Sequence, residues 1–160
     1  MAEFPDNFES IVEQCIVMEI QAMNLYTALS NRVADEETGR MLRYLAEMEE
    51  SHVGRLVEIF SATVESAEKA FSKVDIIKTH QEEALRMHKA RLAGAGLTET
   101  SPVMEYLTFA IVGEAHARSY YERLSGESTD PLAKQIFLTL SHEEADHEET
   151  LTRIRESMRG

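Results

Sequence analysis

Residues 45–52 read LAEMEESH, and residues 140–147, 95 positions further along the chain, read LSHEEADH. Each stretch contains one Glu-x-x-His pattern, and two residues three apart on a helix project from the same face. A single copy is weak evidence for a metal site, because the Glu and His content alone predicts about one by chance. Two copies in corresponding places are much stronger evidence. The four residues concerned are Glu49, His52, Glu144 and His147.

The repetition extends well beyond these two stretches. Residues 17–59 align without a gap with residues 112–154, and twelve of the 43 aligned positions are identical. Each copy adds one more Glu and one Tyr to the shared set, namely Glu19 and Tyr26, and Glu114 and Tyr121. A four-helix bundle that holds two metal ions uses one Glu from each of two helices and a Glu-x-x-His from each of the other two.

Apolar residues at steps of three and four predict four long helices, each with a Glu or a Glu and His in the middle of its apolar seam. The first helix is predicted over about residues 6–32, and the second follows an N-cap at Asp35. The third follows an N-cap at Ser101 and the fourth an N-cap at Asp130, each with a proline next in sequence.

The predicted fold is all-α: one domain over residues 1–160, built from two antiparallel helical hairpins. The hairpins cover about residues 6–60 and 101–158, and a long crossover connector covers about 61–100. Apolar residues in the connector predict an amphipathic helix, which the Gly94-Ala95-Gly96 stretch ends. These apolar residues are Phe71, Val74, Ile77, Ala84, Leu85 and Leu92.

Charge and composition narrow the possible partners and location. The net charge of −13 argues against nucleic acid and against an anionic membrane surface as partners. No apolar run is long enough for a membrane span, and no secretion signal is recognisable, so a cytoplasmic protein is expected. The single cysteine, Cys15, excludes an internal disulfide and a Cys-x-x-Cys metal site, and is expected to be a small core residue.

Charged glutamates in a packed core are costly unless they are paired or bind metal. Four carboxylates would be neutralised by two divalent ions. Carboxylate oxygen together with imidazole nitrogen suits iron or manganese, and zinc would also bind. The alternative is a metal-free bundle whose polar layer is satisfied by hydrogen bonds.

The Glu, Tyr and Glu-x-x-His patterns resemble those of the ferritin-like superfamily, and LAEMEESH at residues 45–52 is most similar to the rubrerythrin branch. The resemblance implies a ferritin-like bundle with a non-haem di-iron centre. In such a centre Glu49 and Glu144 bridge or chelate, Glu19 and Glu114 bind terminally, and each histidine caps one metal.

The chain also departs from the rubrerythrin pattern. Rubrerythrins usually add a rubredoxin domain with four cysteines, and this sequence has one cysteine. Ala117 stands where the family has an additional carboxylate, so a six-ligand site looks more like that of bacterioferritin. Bacterioferritin-type sites often place an Asp just before the helix Glu to orient the opposite histidine. Here those positions are Met48 and Glu143, so Glu143 alone is expected to serve.

Tyr26 and Tyr121 each lie seven residues after a Glu on the same helix face. Their hydroxyls are expected either to hydrogen-bond the ligand carboxylates or to be satisfied as in ordinary buried tyrosines, and a redox role is a further alternative. His116 and His142 are expected at the surface, and His80 and His88 are expected to be exposed or locally packed.

Three functions remain open from the sequence. The first is an oxidoreductase that reduces hydrogen peroxide or oxygen with electrons from ferrous iron or an external donor. The second is a ferroxidase in iron storage or delivery, and the third is a bundle that keeps metal for stability alone. The resemblance also implies a homodimer.

Overall fold

Five helices make up the part of the chain that the computed structural model describes, residues 8–63 and 73–160, and no strand occurs in those ranges. The prediction of an all-α fold is therefore confirmed. In chain order the helices are α1 (Phe8–Ser30), α2 (Glu36–Thr63), α3 (Lys73–Gly94), α4 (Val103–Glu127) and α5 (Pro131–Arg159).

Helices α1, α2, α4 and α5 form the predicted four-helix bundle. α1 packs along α2 and α4 packs along α5, and the two hairpins meet through contacts of α1 with α4 and of α2 with α5. The short connections within each hairpin require antiparallel neighbours. α3 is the crossover connector, and it lies mainly against α1.

Two of the three predicted N-caps are present. Oδ2 of Asp35 accepts hydrogen bonds from the backbone N and the hydroxyl of Thr38, at 2.8 and 2.7 Å. Oδ2 of Asp130 accepts from the backbone N of Ala133 at 2.9 Å. The prediction of a Ser101 cap was wrong: α4 begins one residue later, because Pro102 takes extended backbone angles and occupies the N-cap position. The Ser101 hydroxyl instead accepts a hydrogen bond from the backbone N of Thr98.

The connector helix α3 buries Ile76 and Ala84, and Ile77 and Leu92 are partly buried against the core. Leu85 is 43% exposed and does not belong to this face. Phe71 lies outside the described residues. Gly96, with φ of 74°, ends the helix as predicted. The backbone N of Leu97 bonds to the carbonyl of Leu92 at 2.9 Å, which is the hydrogen bond of a Schellman motif.

The bundle core consists of two apolar clusters. One contains Ile16, Leu56 and Phe137, and the other contains Leu29 and Leu151. Each cluster takes residues from one half of every bundle helix, so the polar positions in the middle of the helices lie between them. None of the described helices combines the length and apolar character that a membrane span requires.

Candidate metal centre

A buried polar layer separates the two apolar clusters, and it is formed by the six side chains that the sequence singled out. Each of the four bundle helices contributes to it from near its midpoint, and every one of the six is at most 4% exposed. They are Glu19 on α1, Glu49 and His52 on α2, Glu114 on α4, and Glu144 and His147 on α5.

The six side chains form two overlapping groups. Within each group the potential ligand atoms all lie within 4.8 Å of one another, a spacing that suits a single ion. The groups are Glu19, Glu49, His52 and Glu144, and Glu49, Glu114, Glu144 and His147. Because Glu49 and Glu144 belong to both groups, they are placed to bridge two neighbouring ions.

Both histidines turn Nδ1 towards the carboxylates. Nδ1 of His52 lies 2.8 Å from Oε1 of Glu144 and 3.5 Å from Oε2 of Glu19. Nδ1 of His147 lies 2.7 Å from Oε1 of Glu49 and 3.6 Å from Oε2 of Glu144. Nδ1 is therefore the nitrogen that each imidazole offers to an ion.

The pKa values of the buried carboxyls are shifted in opposite directions. Burial raises the pKa of Glu49 and Glu144, and the nearby charge of Glu19 raises it further. Burial would also raise the pKa of Glu19, but its hydrogen bonds with Glu49 and His52 outweigh burial and lower it to about 2. Two of the carboxyls therefore favour the protonated state.

The histidine pKa values are shifted upwards by their acidic neighbours. Burial alone would lower the pKa of His147, but Glu114, Glu144 and Glu49 raise it to about 12. The pKa of His52 is raised in the same way, with Glu19 the main charged neighbour. Protons on both imidazoles thus balance part of the carboxylate charge.

Four buried polar atoms of the layer make no hydrogen bond of acceptable geometry among the described residues. They are Oε2 of Glu49, Oε2 of Glu114, Oε1 of Glu144 and Nδ1 of His52, although the last two atoms lie 2.8 Å apart. Buried acceptors without partners are uncommon in native proteins and are costly. Bound cations would satisfy them, so the donor set fits a dinuclear metal centre.

Tyr26 and Tyr121 reach the layer from opposite sides. The hydroxyl of Tyr26 donates to Oε1 of Glu114, and that of Tyr121 donates to Oε1 of Glu19. Each tyrosine thus contacts the Glu of the other hairpin, not the Glu seven residues earlier in its own helix. Helical side chains lean towards the N-terminus, which brings both phenols back to the polar layer.

Glu143 lies beside His52, the histidine of the opposite hairpin. Its Oε2 is 2.8 Å from Nε2 of His52 and accepts a hydrogen bond from Nη1 of Arg55 at 2.6 Å. His52 and Arg55 lower the pKa of Glu143. Arg55 was missed by the sequence reasoning, although it lies three residues after His52 and therefore on the same helix face.

A cavity of about 110 Å³ leads to the layer from the side where α1, α3 and α4 meet. His88 and Arg91 of α3 line it, and Ala117 occupies the place of the additional carboxylate of the rubrerythrin pattern. Nη1 of Arg91 donates to the side-chain oxygen of Gln21 at 3.1 Å, and the guanidinium lies over the Phe109 ring. No spacing in the sequence indicated these residues, because α3 lies outside the repeat.

The remaining residues that the sequence singled out do not join the layer. His116 and His142 are exposed, and His80 and His88 are half-buried. Cys15 is fully buried, and burial raises the pKa of its thiol, as expected for a core residue.

The sequence profile of the rubrerythrin family matches residues 10–93 and 105–160. The chain belongs to the rubrerythrin family. The resemblance inferred from the sequence is therefore confirmed. No curated protein matches this rubrerythrin-family chain.

Among solved structures, the crystal structure of wild-type KatB, a manganese catalase from Anabaena, is similar to this rubrerythrin-family chain. The TM-score is 0.68 at 19% sequence identity, and the match covers 99% of this chain and 76% of that one. At this level of identity the similarity supports the ferritin-like fold.

Proposed function

We propose that this chain is a non-haem dinuclear metal protein that reduces hydrogen peroxide or oxygen with electrons from an external donor. The observation that carries the proposal is the pair of overlapping four-residue groups, buried in the middle of the bundle and joined by Glu49 and Glu144. Membership of the rubrerythrin family supports it.

The six residues would hold the ions in three pairs. Glu49 and Glu144 would bridge, and each of Glu19 and Glu114 would bind one ion. His52 and His147 would each complete one position through Nδ1. Two divalent ions would supply redox electrons and Lewis acidity for cleavage of the oxygen–oxygen bond. The four carboxylates would leave the filled centre electrically neutral.

The size of the cavity supports a small oxidant as the substrate. About 110 Å³ holds hydrogen peroxide, oxygen or a few water molecules. Pockets for organic ligands begin at roughly 300 Å³, so a flavin or nicotinamide would not enter. Reduction of one peroxide to two waters consumes two electrons and two protons, and an organic donor would have to deliver its electrons from outside the cavity.

Iron is the first metal to test, and manganese is the second. The resemblance stated in the sequence analysis implies iron, whereas KatB, which has a similar fold, is a manganese catalase. Carboxylate and imidazole donors suit both metals, and zinc, which also binds such donors, cannot exchange electrons. Zinc-loaded protein is therefore a control that fills the site without redox activity.

The test begins with metal content after anaerobic loading with ferrous iron, or with manganese, followed by desalting. About two ions per chain are expected, and the Glu49→Ala/Glu144→Ala variant should lose them. Peroxide consumption is then followed with and without a chemical reductant. Consumption that depends on reductant supports the proposal, whereas oxygen release without reductant would show catalase-type turnover instead.

The competing functions predict different results in the same assays. Ferrous iron consumed with oxygen and accumulated far beyond two ions per chain would favour iron storage. Two retained ions without turnover of peroxide or oxygen would leave a structural metal site. Full helicity with no retained ion of any of the three metals would refute the metal centre altogether.

A further inference from the structure

The two halves of the centre differ in what lies behind each histidine. Nε2 of His52 is 2.8 Å from Oε2 of Glu143, and Arg55 donates to that same oxygen at 2.6 Å. His52 is therefore held between the polar layer at Nδ1 and a carboxylate at Nε2. Arg55 in turn keeps the Glu143 carboxylate in position.

The second histidine has no such support. In the aligned repeat, Met48 and Thr150 stand at the positions of Glu143 and Arg55. A thioether is at most a weak acceptor, and Thr150 carries no charge. Within residues 8–63 and 73–160, no side chain hydrogen-bonds Nε2 of His147, whose contacts with carboxylates are all made through Nδ1.

A carboxylate behind a metal-binding histidine strengthens the ligand for two reasons. It accepts the Nε2 proton, so the lone pair is on Nδ1 and faces the ion. It also fixes the ring and makes the nitrogen more basic. Loss of such a partner typically costs 10–100-fold in metal affinity.

We propose that the two ion positions are unequal and that Glu143 is the positioning residue responsible. The position of Glu19, Glu49, His52 and Glu144 fills first and holds its ion more tightly. The position formed by Glu49, Glu114, Glu144 and His147 fills second and exchanges its ion more readily. This inference rests on the dinuclear centre of the proposed function and adds an order of binding to it.

Stepwise binding alone is not a sufficient test, because two equal positions whose ions repel each other would also fill stepwise. Single histidine variants separate the two explanations. We would titrate metal-free protein with Mn²⁺ by calorimetry and count retained ions by mass spectrometry. His147→Ala should keep one tightly held ion, whereas His52→Ala should keep one ion with at least about 10-fold lower affinity. Equal affinities in these two variants would overturn the proposal.

The role of Glu143 is tested with a matched pair of amide substitutions on α5. Glu143→Gln should weaken the tighter step about 10–100-fold and leave the weaker step unchanged. Asp146→Asn removes the same charge from a position outside the polar layer and should change neither step. If Glu143→Gln weakens both steps equally, or neither, Glu143 does not create the difference.

A variant that is expected to bind metal more tightly tests the proposal even if the other variants fail to fold, because misfolding cannot raise the affinity. The double variant Met48→Glu/Thr150→Arg places a carboxylate and a guanidinium behind His147, as Glu143 and Arg55 lie behind His52. The affinity of the weaker binding step should then rise towards that of the stronger step. An unchanged weaker step in a fully helical variant would count against the proposal. Wild-type protein that binds no ion at all would instead refute the dinuclear centre, and with it the order of binding.

Discussion

At the scale of single residues, the centre combines groups that are costly to bury with partners that offset the cost. Tyr26 and Tyr121 donate to Glu114 and Glu19, the two carboxylates that belong to one metal group each. Hydrogen bonds to charged groups contribute more stability than those between neutral groups. The tyrosines therefore orient these carboxylates whether or not metal is bound.

Substituting Tyr26 by Phe should lower the unfolding free energy of the metal-free protein by about 1.5–3 kcal/mol, because a buried carboxylate loses its donor. Tyr106→Phe is the control, since its hydroxyl donates to the neutral backbone carbonyl of Thr98. That variant should cost about 1 kcal/mol. Urea unfolding followed by circular dichroism measures both, and equal losses would contradict the argument.

Metal binding should release protons from the two histidines. Their pKa values are raised, that of His147 to about 12, so both are protonated at neutral pH when no metal is bound. An ion needs the neutral imidazole and the ionised carboxylate, so each histidine must give up about one proton, Glu49 and Glu144 add theirs, and the apparent affinity must fall as the pH falls. Calorimetry in buffers of different ionisation enthalpy counts these protons. Binding with no proton release would contradict this prediction.

At the scale of elements, the helix ends are determined by local chemistry. Asp35 and Asp130 cap α2 and α5 as the sequence predicted, because capping depends on the residue type and its immediate neighbours. The N-cap of α4 was predicted one residue too early, at Ser101. Pro102 has extended backbone angles and is itself the N-cap, although a proline is equally common as the first residue of a helix. Such one-residue shifts at helix ends are common.

The two glycines at the end of α3 give opposite predictions for the same substitution. Gly96 has a positive φ, so Gly96→Ala should destabilise the protein by roughly 1–2 kcal/mol. Gly94 is helical, and the space that a Cβ would occupy there is open, so Gly94→Ala should stabilise by up to roughly 1 kcal/mol. Thermal unfolding compares them, and shifts of the same sign would contradict the assignment of the helix end.

At the scale of the whole molecule, the polar layer joins two hairpins that otherwise meet through α1–α4 and α2–α5 contacts. Each proposed ion takes ligands from more than one helix, and Glu49 and Glu144 come from different hairpins. Bound ions would therefore hold the hairpins together as well as carry the chemistry.

Loading the centre should raise the melting temperature. An ion that binds only the folded state, at a free concentration 100 times its dissociation constant, contributes about 2.7 kcal/mol. For a chain of this size that corresponds to a rise of roughly 5 °C or more per ion. Scanning calorimetry with and without a chelator measures it, and the Glu49→Ala/Glu144→Ala variant, which lacks both shared ligands, should show no rise.

The sequence by itself determined the helical bundle and the six residues of the polar layer. The reason is that helix periodicity places a repeated Glu and Glu-x-x-His on the buried seams, where neither residue is tolerated without a partner. The internal repeat also indicated that the two halves of the layer correspond. The expectation for Glu143 came from the resemblance to bacterioferritin-type sites, in which the residue just before the helix Glu orients the opposite histidine.

Only the tertiary structure decided which groups meet across helices. The bonds of each tyrosine to the opposite hairpin, the contact of Arg55 with Glu143, and the cavity lined by Arg91 depend on helix rotation and on the path of α3. Periodicity specifies the face on which a residue lies, but not which residue of another helix it faces. The exposure of Leu85 has the same cause, since α3 packs mainly on α1 and that contact sets its buried face.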